Sequence, residues 1–305
     1  MTERRILLCA PRDRMPDLKT LIDAWREAGV RVEKRPFDRD MPDVSHQVSM
    51  RDDLDAALLI GPSRRAPATV LAAPFVTDRS GRRVPVGWLP ATGAAPLRRF
   101  AAAAARVHRR GGREPAVALL GQWHPQYLRV VDRMDALMQD RMRVFRWTTD
   151  LITREGLVKA MGCGLGLGVY VGHGRPHGWV GYYGMRGHHF DGFDGEPMGA
   201  MISLCCRTAS RRRTGLSYSE ALPLLGVVAA SFGATSDTLH TDNTRWAVAL
   251  CDVLSAGAST IGELIVRAAP SAGAVAPYRL IGDPLAPLAV PRKAVARAAA
   301  VPVYP

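Results

Sequence analysis

Several things are scarce in this 305-residue sequence. Lysine is nearly absent: of 41 lysines and arginines only four are lysine (Lys19, Lys34, Lys159 and Lys293). No apolar run reaches the roughly 18 residues that cross a bilayer, so a membrane helix is excluded. The run Ile6 to Ala10, behind Glu3, Arg4 and Arg5, is too short for a secretory signal and reads as a buried first strand. Cysteine numbers five, odd and without framework spacing, which argues against a disulfide scaffold and for free thiols in a reducing compartment. A cytoplasmic protein is expected. Acid is scarce in two stretches: no Asp or Glu occurs from Gly156 to Phe190 or from Pro197 to Ser219.

What is present is a 47% hydrophobic chain, long enough for a substantial core, with net charge +13. Such a balance points to nucleic acid or an anionic surface. The excess is spread out, however, with +9 in residues 1–150 and +4 in residues 151–305. Scattered arginine on a solvated surface explains this as well, so nucleic acid is not the favoured partner.

Strand-like and helix-like segments alternate throughout. Strands are expected at Arg5–Ala10, Val30–Phe37, Ala56–Ile60, Arg83–Gly87, Pro115–Gly121, Met142–Trp147, Leu165–Val171, Gly199–Cys205 and Val227–Gly233. Helices fall between them, among them Gln126–Gln139 with Leu128, Val131, Met134, Leu137 and Met138 inward. This is an α/β pattern with crossover connections and a largely parallel sheet flanked by helices. The polar, glycine-bearing stretch Arg109 to Arg113 is the best linker. It divides the chain into an α/β unit at 1–110, a second at 111–288, and a Pro/Ala-rich tail at 289–305.

In such sheets, ligands bind at the carboxyl ends of strands. Two strands end in reactive residues: Leu165–Val171 runs into Gly172-His173-Gly174, and Gly199–Leu204 into Cys205-Cys206-Arg207-Thr208. Cys and His from neighbouring strand ends make a nucleophile and its base, and the main-chain amides of Gly174 and the cysteine are candidate oxyanion donors. The plainer alternative is a buried free cysteine and a structural Gly-His-Gly turn.

Other signals are weaker. His173, His177, His188 and His189 suggest a metal, but Gly172, Gly174, Pro176 and Gly178 make this a loop, so no metal and no other cofactor is expected. The glycines from Gly162 to Gly168 fit neither phosphate-binding pattern. Trp179, Asp191, Asp194 and Arg207 are candidates for the substrate cleft; the alternatives are a hairpin packing beside the cleft for Trp179, with its neighbours Tyr182, Tyr183, Arg175 and Arg186, a hairpin cap for Asp191 and Asp194, and a solvated loop for Arg207.

Tyr170-Val171-Gly172-His173-Gly174, followed by Ile202-Ser203-Leu204-Cys205-Cys206-Arg207-Thr208, resembles the paired signature of caspase-like cysteine peptidases, a superfamily (clan CD) that includes caspases, gingipains and bacterial CHAT domains. Val86 to Ala91 with the Ala-rich helix after it, Val228 to Thr235, and Leu280-Ile281-Gly282-Asp283-Pro284 are similar to elements of the gingipain type, peptidase family C25. The resemblance spans roughly residues 84–288. It implies a pseudo-caspase subdomain followed by a caspase-like catalytic one, and a cysteine endopeptidase of bacterial type acting through an acyl-enzyme. His173 would be general base and acid, and Cys206 the nucleophile, with Cys205 in the small-residue place before it; Cys205 remains the alternative. Leu204 stands where relatives that cut after Arg or Lys often carry Asp, so a basic preference is not implied. By analogy the partner is a protein substrate, in some relatives a pore-forming or defence-system protein. The competing reading is a non-enzymatic caspase-like scaffold that binds nucleic acid or protein.

Overall fold

The computed structural model describes residues 3–110 and 116–288. The glycines of the expected linker and the tail from 289 lie outside the described residues. Thirteen strands are described: β1 Arg4–Pro11, β2 Val30–Phe37, β3 Ala56–Pro62, β4 Phe75–Thr77, β5 Arg83–Ala91, β6 Ala116–Gly121, β7 Arg143–Arg146, β8 Leu167–Val171, β9 Gly174–Arg175, β10 Gly178–Trp179, β11 Met198–Leu204, β12 Val228–Ala234 and β13 Tyr278–Gly282. The helices are α1 Lys19–Glu27, α2 Val44–Ser49, α3 Pro67–Val70, α4 Ala94–Arg109, α5 Pro125–Met138, α6 Arg154–Met161, the short turn α7 Gly181–Gly184, α8 Tyr218–Leu224, α9 His240–Ser255 and α10 Ile261–Ala272.

Ten strands form one continuous path in the order β2-β1-β3-β5-β13-β12-β11-β8-β6-β7, with β4 paired to β5. The apolar runs of β1, β3, β6, β8, β11 and β12 are buried on both faces, as strands of a helix-covered parallel sheet must be. Within β2-β1-β3-β5-β13 and within β12-β11-β8-β6-β7 every pairing is parallel, and the two halves run opposite ways because β12 and β13 pair antiparallel. Strand pattern does not encode direction, so this reversal could not be read from the alternation of apolar residues. One strand at the seam depends on glycine. A Cβ on Gly87 of β5 would collide with the Gly282 carbonyl of β13, and Gly282 itself turns at φ +91°.

Helix faces follow the apolar spacing. α1 buries Leu21, Ile22, Ala24 and Trp25, and the Ala-rich α4 buries Leu97, Phe100, Ala101, Ala104 and Val107; small side chains let these two helices pack closely. In α5 the inner face is rotated from the expected one. Tyr127, Val130, Val131, Met134 and Met138 are buried, whereas Leu137 is exposed.

Buried polar groups brace the sheet, and one of them, Glu220, joins its two halves. Asp283, just past β13, accepts from the Trp25 indole at 3.3 Å and the Leu285 amide at 2.9 Å, and meets His108 Nε2 at 2.6 Å. The fully buried Glu220 of α8 accepts from the Trp88 indole of β5 at 3.0 Å, from Arg211 Nε at 2.8 Å and from Ser217 Oγ at 2.8 Å. A buried carboxylate survives only with such a full set of donors.

Candidate active site

β8 and β11 are parallel neighbours, and their last paired residues are Val171 and Leu204. His173 and Cys206 each stand two residues beyond, so the two reactive side chains leave the same edge of the sheet at the same offset. Adjacent strands lie about 4.8 Å apart. Gly174 brings the two loops into contact: a Cβ there would strike the Cys206 carbonyl and approach Cys205 Sγ to 2.6 Å. Only glycine permits so close an approach.

The His173 main chain is fixed from three sides. Its amide donates to Gln122 Oε1 at 2.9 Å, and its carbonyl accepts from the Tyr170 hydroxyl at 3.1 Å and the Val180 amide at 3.0 Å. The exposed ring is hydrogen-bonded through Nε2 to the Tyr127 hydroxyl at 3.1 Å. Among the described residues, no hydrogen bond joins the ring to Cys206 or to a carboxylate.

The two cysteines differ sharply. Cys205 is fully buried, and burial, then the neighbouring Cys206, pushes its thiol far above the usual range. Cys206 is half-buried; its Sγ receives the Thr238 amide at 3.4 Å and lies 3.7 Å from Thr238 Oγ1. Thr238 is in turn held by Asn243 Nδ2 at 3.1 Å, and Asn243 by the Tyr278 hydroxyl. Arg207, next in the chain, adopts φ +61°, a strained conformation for a non-glycine residue, pinned by its amide to the Ser236 carbonyl at 3.1 Å and by its guanidinium to Asp237.

Nothing near either motif in sequence signalled Tyr127, His240, Thr238 or Asp237. Tyr127 sits on the first turn of α5 and His240 on the first turn of α9, with ring centroids 5.8 Å apart. Burial, then Arg129, lowers His240 below the ordinary histidine range. His173, Cys206, Thr238, Tyr127 and His240 all lie just past the carboxyl ends of β8, β11 and β12 or at the starts of α5 and α9.

The remaining cleft candidates fall elsewhere. Trp179 is corrected to a core residue: it is 2% exposed, stacks on Tyr170 at 4.5 Å, and donates to Ser203 Oγ at 2.9 Å. The hairpin β9–β10 folds this ring over the sheet instead of opening it to solvent. Asp191 and Asp194 are exposed, and the segment they occupy leads to Gly195, which packs on Gly162 ahead of β8. Asp194 is therefore carried towards the amino ends of β8 and β11, away from His173. The local shortage of acid is also offset by the fold, since Asp237 pairs with Arg207 and Glu220 with Arg211. Among the described residues no three His, Cys, Asp or Glu side chains gather as a metal set.

The model of peptidase family C25 matches residues 90–289, about two thirds of the sequence. The chain belongs to peptidase family C25. The fold of this family C25 chain is similar to RgpB of Porphyromonas gingivalis, solved as a complex of pro- and mature domains: TM-score 0.72, 14% identity, covering 94% of this chain and 80% of that one. A structure described only as a protease matches with TM-score 0.72 and 12% identity, over 95% and 80%. Separase, from the Saccharomyces cerevisiae separase–securin complex, matches with TM-score 0.53 and 13% identity over 79% of this chain and 16% of that chain. These likenesses establish an α/β fold of caspase-like type. No curated protein matches the chain. Family membership supports cysteine-type peptidase activity, a hydrolase with protein as substrate.

Proposed function

We propose that this family C25 chain is a cysteine endopeptidase in which Cys206 is the nucleophile and His173 the general base and acid. The observation that carries the reading is the register of β8 and β11, which sets His173 and Cys206 at equal offsets past Val171 and Leu204. His173 takes the thiol proton, and the thiolate adds to the scissile carbonyl. The amides of Gly174 and Cys206 stabilise the resulting oxyanion. His173 then protonates the leaving amine, and water hydrolyses the acyl-enzyme with His173 again as base. The burial of Cys205 supports the choice of Cys206, since a dry, protonated thiol is a poor nucleophile. The substrate is a protein partner, for which a pore-forming or defence-system protein is the candidate by analogy, and the site of action is the cytoplasm.

The test compares wild type with Cys206→Ala on a peptide library varied at the residue before the cut, together with a thiol-reactive peptide probe. Cleavage and labelling in wild type, both lost in Cys206→Ala, are expected. Wild-type protein that cleaves nothing and leaves Cys206 unlabelled would sink the reading and favour a binding scaffold.

A further inference from the structure

The ring of His173 has one hydrogen-bond partner among the described residues, and it is a phenol. The Tyr127 hydroxyl meets Nε2 at 3.1 Å, and the two rings stand edge to face, 5.3 Å between centroids at 81°. We propose that Tyr127 is a positioning residue of this site, accepting a hydrogen bond from His173 Nε2–H and so holding the imidazole in the tautomer whose Nδ1 carries the lone pair. The proposal rests on the reading of His173 as the base.

Three features make Tyr127 suited to this. First, it is rigid. It is 8% exposed, it lies in the first turn of a fourteen-residue helix, and its ring is braced by His240 at 5.8 Å and by His124 at 5.6 Å. Second, the main chain of His173 is already fixed by Gln122, Tyr170 and Val180, so the ring torsions and the choice of tautomer are the freedoms left. A partner on Nε2 removes the first, and a hydroxyl oxygen that accepts from Nε2–H removes the second. Third, the phenol is neutral: burial, then the nearby Cys206 and Cys205, raises the Tyr127 hydroxyl above its usual range.

The second nitrogen of a catalytic histidine is commonly bonded to a carboxylate or carbonyl that sets the tautomer. Here a neutral hydroxyl does so. When the Cys206 S–H bond breaks, its proton goes to Nδ1 and the electron pair stays on sulfur. Nε2 keeps its proton, shared with Tyr127 Oη, and Tyr127 keeps its own.

The experiment is long-range 1H–15N spectroscopy of the His173 ring in the full-length protein at about pH 8, where an ordinary histidine is neutral, with kinetics of wild type and Tyr127→Phe. Wild type is expected to show Nε2 protonated and Nδ1 bare. Tyr127→Phe keeps the ring packing and should show mixed tautomers, with kcat lowered about ten- to a hundredfold, KM within about twofold and melting temperature unchanged. A bare Nε2 in wild type overturns the proposal, as does Tyr127→Phe with the wild-type spectrum and kcat. The tautomer measurement needs no turnover, so it stands or falls separately from the failure of Cys206 to label.

Discussion

Arg211 reaches from the loop after Cys206 to close on both carboxylate oxygens of Glu220, through Nε at 2.8 Å and Nη2 at 2.6 Å. Its remaining nitrogen bonds the Ser63 carbonyl, at the end of β3 in the other half of the sheet. One guanidinium thus ties the candidate nucleophile's loop to α8 and to the N-terminal half. Removing it strands a fully buried carboxylate. Arg211→Met is expected to cost about 3–5 kcal/mol in urea unfolding, and Arg211→Met with Glu220→Gln to recover part of that. A single variant within about 0.5 kcal/mol of wild type would show the pair to be idle.

The five cysteines should sort by access. Cys206 and the exposed Cys163 are expected to react with iodoacetamide in the native protein, while Cys205, Cys9 and Cys251 stay unmodified. Burial pushes the thiols of Cys9 and Cys251 up to about 12. Mass spectrometry of tryptic peptides reads the order. Faster alkylation of Cys205 than of Cys206 would reverse the assignment of the nucleophile.

Gly174→Ala adds one methyl group where the two loops touch. It has no room beside the Cys206 carbonyl or Cys205 Sγ, so the loops must part. A shift of about 1 Å between nucleophile and base is worth about a hundredfold in rate. Peptidase assays should show that loss in kcat, with the far-UV spectrum unchanged. An active Gly174→Ala would mean that the spacing of the loops is not critical.

Asp53 supplies a pH dependence. The Arg51 side chain bonded to it holds its carboxyl down at about 2, against 3.8 in the absence of partners. A carboxyl lowered on folding stabilises the fold above the unfolded value, and that contribution fades as pH falls through the folded one. Because the group is 35% exposed, solvent screening keeps the effect below about 1 kcal/mol. Asp53→Asn should therefore be less stable than wild type at pH 6 and indistinguishable from it near pH 2, by chemical unfolding at both. A gap that widens on acidification would contradict the assignment.

Much of the molecule was legible in local pattern. The strands fall within a few residues of their apolar runs, and His173 and Cys206 stand out because reactive residues follow buried runs directly. What was hidden depends on distance. Tyr127 was obscured because Leu128 and Leu137 are as apolar as the residues that turn inward, so composition alone left the helix face a step out of phase. The counter-charges on Arg207 and Arg211 come from Asp237 and Glu220, 30 and 9 residues away. Trp179 looked like a cleft residue because aromatic and basic residues interleave after His173, yet its ring is buried against Tyr170.

The place of β13 bears on how the chain assembles. It is the last described strand in chain order, and it sits between β5 and β12 in the interior of the sheet. A ribosome must therefore deliver Tyr278–Gly282 before the two half-sheets can join, and until then β5 and β12 each present an unpaired edge. Pairings of such long sequence separation form late and slowly. For a hydrolase that would attack other proteins, the sheet that carries its site is kept incomplete until Tyr278–Gly282 has been made.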